Sequence, residues 1–340
     1  MRQVKKVTLA DVAKEAGVSK STVSQFLNQR YEHMGDETRE RIKAAIEKLG
    51  YRPNYVARSL KQKRTSMIGI IIANIMHRVS TEFSRAIEDY CHEHDMQAII
   101  CNADDDPAKE RKYIEVLRAR QVDGLVIVPT GGNIELYQQM ERENYPVVFM
   151  DRKVDGINVH TIVVNNKGAA YEAVSHLIEQ GHTRIGIVTP PLTVSPRIER
   201  MSGYKQALID HGIEIRPEYM ISDEIHRLTS RLEEMFSLPQ KPTALLAGND
   251  LSFFEVMAFI KQNRIRVPED LAVVVFDNIP FAAISTPTIT TIAQPAYEMG
   301  KKAAELLWKQ IHNECDEAQL YTFFCQLIVR ESSGTKKADG

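Results

Sequence analysis

Apolar residues fall at helical spacing over roughly the first fifty positions and in short unbroken runs from residue 66 onward, so the chain changes character once. In the first stretch Leu9, Val12, Ala13 and Ala16 form one apolar stripe, with Asp11, Lys14 and Glu15 on the opposite side. Gly17 ends that helix. Ser19 can cap the next by accepting a backbone N–H, and Val23, Phe26 and Leu27 supply its buried face. Lys20, Ser21, Ser24 and Gln25 are then left pointing outward. A third helix starts near Gly35 and Asp36 and runs to Leu49, with Ile42, Ala45, Ile46 and Leu49 on one side. Two short helices that meet at a Gly, the second opening on a Ser, have the pattern of a helix-turn-helix DNA reader. Any small helical bundle with a basic outer face satisfies the same spacing.

The runs after residue 66 are strand-like and alternate with helical stretches. MIGIIIAN (67–74), QAIICNAD (97–104), GLVIVP (124–129) and PVVFMD (146–151) are separated by helices near 82–94, 107–120 and 134–144. A second cycle begins at 161–164 and continues through RIGIVTP, TALLAGND and AVVVFDN, with helices over 168–180, 198–211 and 251–263. Strands buried on both faces read as continuous apolar runs, and their alternation with helices predicts parallel sheets. The predicted fold is an all-α helix-turn-helix head followed by an α/β body of two doubly wound parallel-sheet lobes.

Charge strengthens the nucleic-acid reading of the head. Residues 1–65 hold 15 Lys and Arg against 7 Asp and Glu, and the other 275 hold 28 against 38, so the net charge of −2 conceals a basic head on an acidic body. That division suits a polyanion at one end, because each neutralised phosphate releases counterions. The body is long enough to bury substantial cores. No apolar run reaches membrane-spanning length and the charged N-terminus lacks a hydrophobic segment, so no signal peptide, anchor or membrane partner is expected and the expected location is cytoplasmic. Cys91, Cys101, Cys315 and Cys325 lack CxxC or Cys/His spacing; reduced thiols, no metal and no cofactor are expected.

Ligands of open α/β sheets sit beyond the carboxyl ends of the strands, where this chain places Asn74, Asp104, Asp151, Thr189, Asn249, Asp250 and Asp277. A ring of carboxylates and amides suits vicinal hydroxyls, since carboxylates accept and amides both accept and donate. Taken singly, each of these residues serves equally well to cap a helix or turn the chain, and Asp250 could cap the helix from Leu251. There is no GxSxG, GxxxxGK[ST], HExxH or strand-following GxGxxG, so an enzyme is not predicted. A sugar receptor without DNA activity accounts for the body but not for the basic head. Between the two, RPNYVARSLKQKR (52–64) has Pro53 to stop the third helix and Asn54 to cap a short one from Tyr55 to Leu60. A helix that short does not hold alone in water, and a flexible basic linker is the plainer reading.

In order, VTLADVAKEAGVSKSTVSQFLN, YRPNYVARSL, IGIII, VDGLVIVP, HLIEQGHTRIGIVT, AGND, VVVFDN and TTIAQP resemble the lactose-repressor (LacI/GalR) family of bacterial transcription regulators over essentially the whole chain. The resemblance implies a homodimeric repressor of carbohydrate catabolism genes whose recognition helices enter successive major grooves of a pseudo-palindromic operator. It implies a body similar to periplasmic sugar-binding proteins, with crossovers here near 161–165, 288–294 and 323–328. The expected division is then 1–52 for the head, 53–65 for the hinge and 66–340 for the body. The first lobe would take about 66–163 and 294–322, the second about 164–293 and 323–331. Matched position by position, Lys20, Ser21 and Gln25 face base edges, and Thr8, Ser19, Thr22, Ser24 and Asn28 face phosphates. Leu60 matches the hinge leucine that wedges into the minor groove, with Tyr55 and Ala57 on the same short helix. Asp151, Arg200, Asn249 and Asp277 match effector contacts, and Asn74 and Gln294 lie near the cleft mouth.

Two departures from that pattern stand out. Most relatives carry Arg where this chain has Gln25, and Gln pairs bidentately with adenine whereas Arg prefers guanine, so a changed operator base is expected there. The loop from Gln29 to Gly35 is one residue longer than usual, with Gly35 where a Ser often caps the third helix. Arg78, Arg197 and Arg200 add cations suited to a carboxylate or phosphate, which points to a sugar acid as the effector, or otherwise a sugar. Surface charge is the competing reading of Arg78 and Arg197. The chain also resembles a repressor of 2-keto-3-deoxygluconate catabolism, which fits an acid. Release from DNA by an inducer is expected, a corepressor being the alternative. The polar tail ESSGTKKADG has no leucine heptads, so a dimer is expected.

Overall fold

The computed structural model describes residues 7–52, 64–314 and 317–334 and divides the chain into two compact units at Thr65/Ser66. The first unit is the expected three-helix head. Helix α1 (Leu9–Ala16) opens on Thr8 in a reciprocal cap: Asp11 N donates to Thr8 Oγ1 at 3.3 Å, and Thr8 N donates to Asp11 Oδ2 at 2.8 Å. It ends at Gly17, whose φ of 64° lies in the left-handed region that a Cβ disfavours. Helix α2 (Lys20–Leu27) opens on Ser19, and α3 (Asp36–Leu49) opens on Gly35 without a side-chain cap. Val12, Ala16, Val23, Ile42 and Ala45 fill the core, and Met34 and Tyr51, outside the three predicted stripes, complete it. The hinge residues Tyr55, Ala57 and Leu60 lie outside the described residues.

In the second unit, the first sheet comprises β1 (Met67–Ile72), β2 (Gln97–Asn102), β3 (Gly124–Ile127), β4 (Val147–Met150), β5 (His160–Val164) and β11 (Leu320–Phe323). The second comprises β6 (Ile185–Thr189), β7 (Met220–Ser222), β8 (Ala244–Ala247), β9 (Ala272–Phe276), β10 (Thr290–Ala293) and β12 (Gln326–Ile328). Their orders, β11-β5-β4-β3-β1-β2 and β12-β10-β9-β8-β6-β7, are the same arrangement written twice. All pairings are parallel except that of edge strand β12 with β10, a common departure at the margin of such sheets. The chain passes from one sheet to the other after β5, after β10 and after β11.

Helices cover both faces of each sheet. In lobe 1, α4 (Arg78–Glu93) and α11 (Ala296–Ile311) pack together on one face, and α5 (Pro107–Ala119) and α6 (Ile134–Arg142) cover the other. In lobe 2, α7 (Asn166–Glu179) and α8 (Ser195–Asp210) lie on one face, with α9 (Leu228–Phe236) and α10 (Asp250–Gln262) opposite. Helix α9, helix α11 and the three-residue strand β7 add to the elements legible as apolar runs. Helices α4 and α8 start earlier than the apolar spacing indicates, at Arg78 and Ser195. Pro196 accounts for α8, since a proline's fixed φ suits the first turn. The start of α4 depends on the other lobe, as described next.

Candidate functional site

The carboxyl ends of both sheets face one cleft, and there each lobe ends a strand on the same device. Asp151 follows β4 and Asp277 follows β9, with φ of 67° and 93°. Each donates its N–H to an isoleucine on the next strand, Asp151 to Ile162 O at 2.7 Å and Asp277 to Ile292 O at 2.9 Å. Non-glycine residues held left-handed are costly and cluster at binding sites. Here the conformation turns two carboxylates toward a cavity of about 50 Å³, lined also by His77, Arg152, Arg197, Arg200, Asn249 and Gln294.

Lobe 2 supplies a locked set. Arg200, 5% exposed, donates from Nε to Asn166 Oδ1 at 2.8 Å and from Nη1 to Gly248 O at 2.7 Å, and its guanidinium lies 3.5 Å from the Phe276 ring centroid. Asn249 caps α10, its Oδ1 accepting from Ser252 N at 2.8 Å and Ser252 Oγ at 2.6 Å. The cap is therefore Asn249, not Asp250. Asp277 is 4% exposed; its carboxylate accepts from Gln294 Nε2 at 2.5 Å and from Asp250 N at 3.3 Å. Burial pushes its pKa up to about 6, against the pull of the Arg200 cation. Gln294, which lines the cavity, has its Oε1 buried without a hydrogen-bond partner.

Lobe 1 reaches across. His77 Nδ1 lies 2.5 Å from Asp250 Oδ1, and Arg78 N donates to Asp250 Oδ2 at 2.9 Å. Asp250 thus serves as the missing N-terminal cap of α4, from 172 residues away. Burial opposes charge on both partners, but the contact outweighs it, raising the His77 pKa and lowering that of Asp250. Asp105 forms an ion pair with Arg152 of its own lobe at 2.7 Å, and it pairs with Arg197 of lobe 2, accepting a hydrogen bond from its Nη2 at 2.9 Å. Burial pushes its pKa up, and the two guanidiniums more than reverse that, holding it below the ordinary carboxylate range. Lys153 completes the contacts, its N donating to Ser195 Oγ at 2.9 Å and its ammonium lying 2.5 Å from Glu199.

Six of the eight effector candidates, Asp151, Arg197, Arg200, Asn249, Asp277 and Gln294, therefore surround one cavity. Two do not. The Arg78 guanidinium turns back to Glu82 at 2.6 Å on the exposed side of α4, and Asn74 Oδ1 accepts from Met76 N at 2.9 Å within its own turn. Sequence reasoning missed His77, Arg152 and Asp105. Arg152 directly follows a strand-end Asp, a readable signal. Asp104 rather than Asp105 was singled out, but Asp104 faces Lys109 and Asn102 at the surface. Among the described residues no cluster of three metal-ligating side chains occurs, and no helix is long and apolar enough to cross a membrane.

In the head, Lys20, Ser21 and Gln25 lie exposed on one side of α2 while Val23 is buried on the other. Ser19 Oγ accepts from Thr22 N at 3.1 Å and sits 2.6 Å from Ser21 Oγ and 2.8 Å from Thr22 Oγ1, a cluster of hydroxyls at a helix N-terminus. The partial positive charge there suits a phosphate. Thr8 spends its hydroxyl on Asp11 at 2.7 Å, and Asn28 Nδ2 donates to Ser24 O at 2.7 Å, closing the end of α2.

Known proteins share both halves. Residues 8–54 match the model for bacterial regulatory proteins of the lacI family, and residues 174–333 match the periplasmic binding protein-like domain. The chain is 44% identical to "Probable HTH-type transcriptional regulator EndR" of Paenibacillus polymyxa, over 92% of this chain and 93% of that one. It is 31% identical to HTH-type transcriptional regulator KdgR of Bacillus subtilis, over 96% and 97%, so the likeness does not single out that subgroup. A lac repressor dimer solved with operator and the anti-inducer ONPF superposes with a TM-score of 0.84 at 25% identity, covering 97% of this chain and 100% of that one. With a helix-turn-helix head and a two-lobed ligand cleft on one chain, the protein belongs to the lacI family of bacterial regulatory proteins and is a DNA-binding transcriptional repressor with a small-molecule effector, not an enzyme.

Proposed function

We propose that the protein represses carbohydrate catabolism genes in the cytoplasm as a homodimer on a pseudo-palindromic operator and is released when a sugar enters the cleft. The observation that carries this reading is the convergence of Asp151, Arg200, Asn249, Asp277 and Gln294, from both lobes, on one polar cavity. Such a set offers acceptors and donors in the alternation that vicinal hydroxyls need. The effector is a neutral sugar. Three guanidiniums, of Arg152, Arg197 and Arg200, are matched by the three carboxylates of Asp105, Asp151 and Asp277, so the site has no net cation to spend on an acid. That revises the sugar-acid expectation, which rested on Arg78, Arg197 and Arg200; Arg78 is turned away, Arg197 is paired with Asp105, and Arg200 is held by Asn166 and Gly248 near Asp277.

Lys20, Ser21 and Gln25 read bases, and Thr8, Ser19, Thr22, Ser24 and Asn28 position the head on phosphates. Tyr55, Ala57 and Leu60 act at the operator centre. Thermal-shift screening of the full chain against neutral sugars, sugar phosphates and sugar acids tests the effector class, with Arg200→Ala as control. A neutral sugar should raise the melting midpoint of the wild type only; a response confined to phosphates or acids would refute it. Gln25→Arg should move the preferred base at its contact from adenine to guanine by about 1–3 kcal/mol, read by selection from randomised operators.

A further inference from the structure

We propose that Arg152 and Arg197 form a carboxylate seat at the rim of the cleft, and that Asp105, by sitting in it, sets the charge class of the effector. This rests on the sugar-effector reading above and deepens it. Arg152 comes from lobe 1 just beyond β4, and Arg197 from the first turn of α8 in lobe 2. Their Nη2 atoms meet the two oxygens of one carboxylate, Asp105 Oδ1 at 2.7 Å and Oδ2 at 2.9 Å. Two planar cations sharing the two oxygens of a single carboxylate is the arrangement that an acidic ligand would itself adopt.

Each guanidinium has a further anchor besides Asp105. Arg152, 5% exposed, donates from Nη1 to Pro129 O at 3.3 Å, and its Nε makes no hydrogen bond. Arg197 donates from Nη1 to Pro191 O at 3.2 Å and to Thr193 Oγ1 at 3.4 Å. Asp105 is held less firmly. Its side chain is 30% exposed, and it lies on the loop after β2 in two successive left-handed residues, Asp104 and Asp105, with φ of 53° and 56°. An acidic sugar would have to drive this tethered carboxylate into water before occupying the seat, whereas a neutral sugar leaves it in place. Without Asp105, Arg197 loses its ion-pair partner and Arg152 keeps only Asp151, 3.7 Å from its Nε, so a small carboxylate that pairs with both arginines relieves the cost of leaving them under-neutralised.

The test compares full-length wild type, Asp105→Ala and the double variant Asp105→Ala/Arg197→Ala in sodium acetate and sodium chloride at matched ionic strength. Acetate should raise the melting midpoint of Asp105→Ala by about 2–4 °C above chloride, as expected for a ligand that binds only the folded state. The wild type and the double variant should respond to the two salts alike. D-gluconate or D-galacturonate should bind Asp105→Ala about tenfold or more tighter than wild type, the scale of one charge-assisted contact. Equal effects of acetate and chloride on Asp105→Ala, or an acetate effect that persists in the double variant, overturn the proposal. Asp105→Asn repeats the comparison with side-chain volume retained, in case the alanine disturbs the fold. The acetate response reports on the seat whatever the effector is. Acetate rescue beside an unresponsive neutral-sugar screen would discard the sugar reading alone, and the reverse result would discard the seat alone.

Discussion

Two lobes built on one strand order treat the same residue in opposite ways. Asp151 and Asp277 occupy equivalent strand ends, share the left-handed backbone and make the same bond to the next strand. In lobe 2, Asp277 is enclosed beside an arginine fixed by Asn166, Gly248 and Phe276. In lobe 1, Asp151 is partly open to water, and its neighbour Arg152 is shared with a carboxylate that also binds the other lobe. The repeated backbone explains why both carboxylates point into the cleft, and the different surroundings explain how their tasks divide. Lobe 2 is a prebuilt platform in which Arg200, Asn249 and Asp277 are each held by hydrogen bonds to their neighbours. Lobe 1 carries the side chains that engage across the gap and can be exchanged.

The largest effect that would break this contrast is on Arg200. Arg200→Ala leaves Asn166 Oδ1 and Gly248 O without their donor and removes the cation beside buried Asp277. Urea unfolding should show a loss of about 3–5 kcal/mol, together with loss of sugar stabilisation. A loss below about 1 kcal/mol would mean that lobe 2 is not locked.

Asp277 comes next, and its effect depends on pH. Its folded-state pKa, raised to about 6 from 3.8, lies above the unfolded value, so its contribution to stability is fully present below about pH 4 and is lost as pH rises through about 6. Asp277→Asn should therefore gain on the wild type across that window, by about 2–3 kcal/mol in unfolding free energy from urea titrations compared from pH 4 to 7. A difference that stays flat with pH would contradict the burial argument. Asp151→Ala, in the more open lobe, should change stability by less than about 1 kcal/mol yet weaken sugar binding about tenfold, measured by calorimetry. Smallest of all is Arg78→Ala, which removes only an exposed pair with Glu82 one helical turn away. It should shift stability by less than about 0.5 kcal/mol and leave sugar affinity unchanged.

What could be read in the chain follows the same contrast. Strands buried on both faces show as apolar runs, and a polar residue closing such a run stands at the cleft, which makes Asp151, Asn249 and Asp277 legible in the sequence. Local signals also suffice for the head, where Gly17 and Ser19 mark helix ends within a few residues of the bonds they make; the cap at Thr8 is added by the structure. The start of α4 was not legible because its cap, Asp250, comes from the other lobe. Asp105 was missed by one position: in a turn of two left-handed residues, adjacent side chains point apart, and only the fold decides that Asp104 meets Lys109 while Asp105 meets two arginines. Arg197 was picked out for its charge, but the carboxylate that neutralises it lies 92 residues away in the other lobe.

Coupling between the cleft and the DNA reader is what makes the protein a switch, and one measurement reads it directly. Operator affinity of the full-length protein, followed by fluorescence anisotropy of a labelled duplex, is compared with and without a saturating neutral sugar identified by thermal shift, for wild type and Arg200→Ala. The sugar should weaken operator binding by the wild type, by the same factor by which operator weakens the sugar, and should leave Arg200→Ala unaffected. Operator affinity that is unchanged or tightened by a sugar shown to occupy the cleft would contradict it.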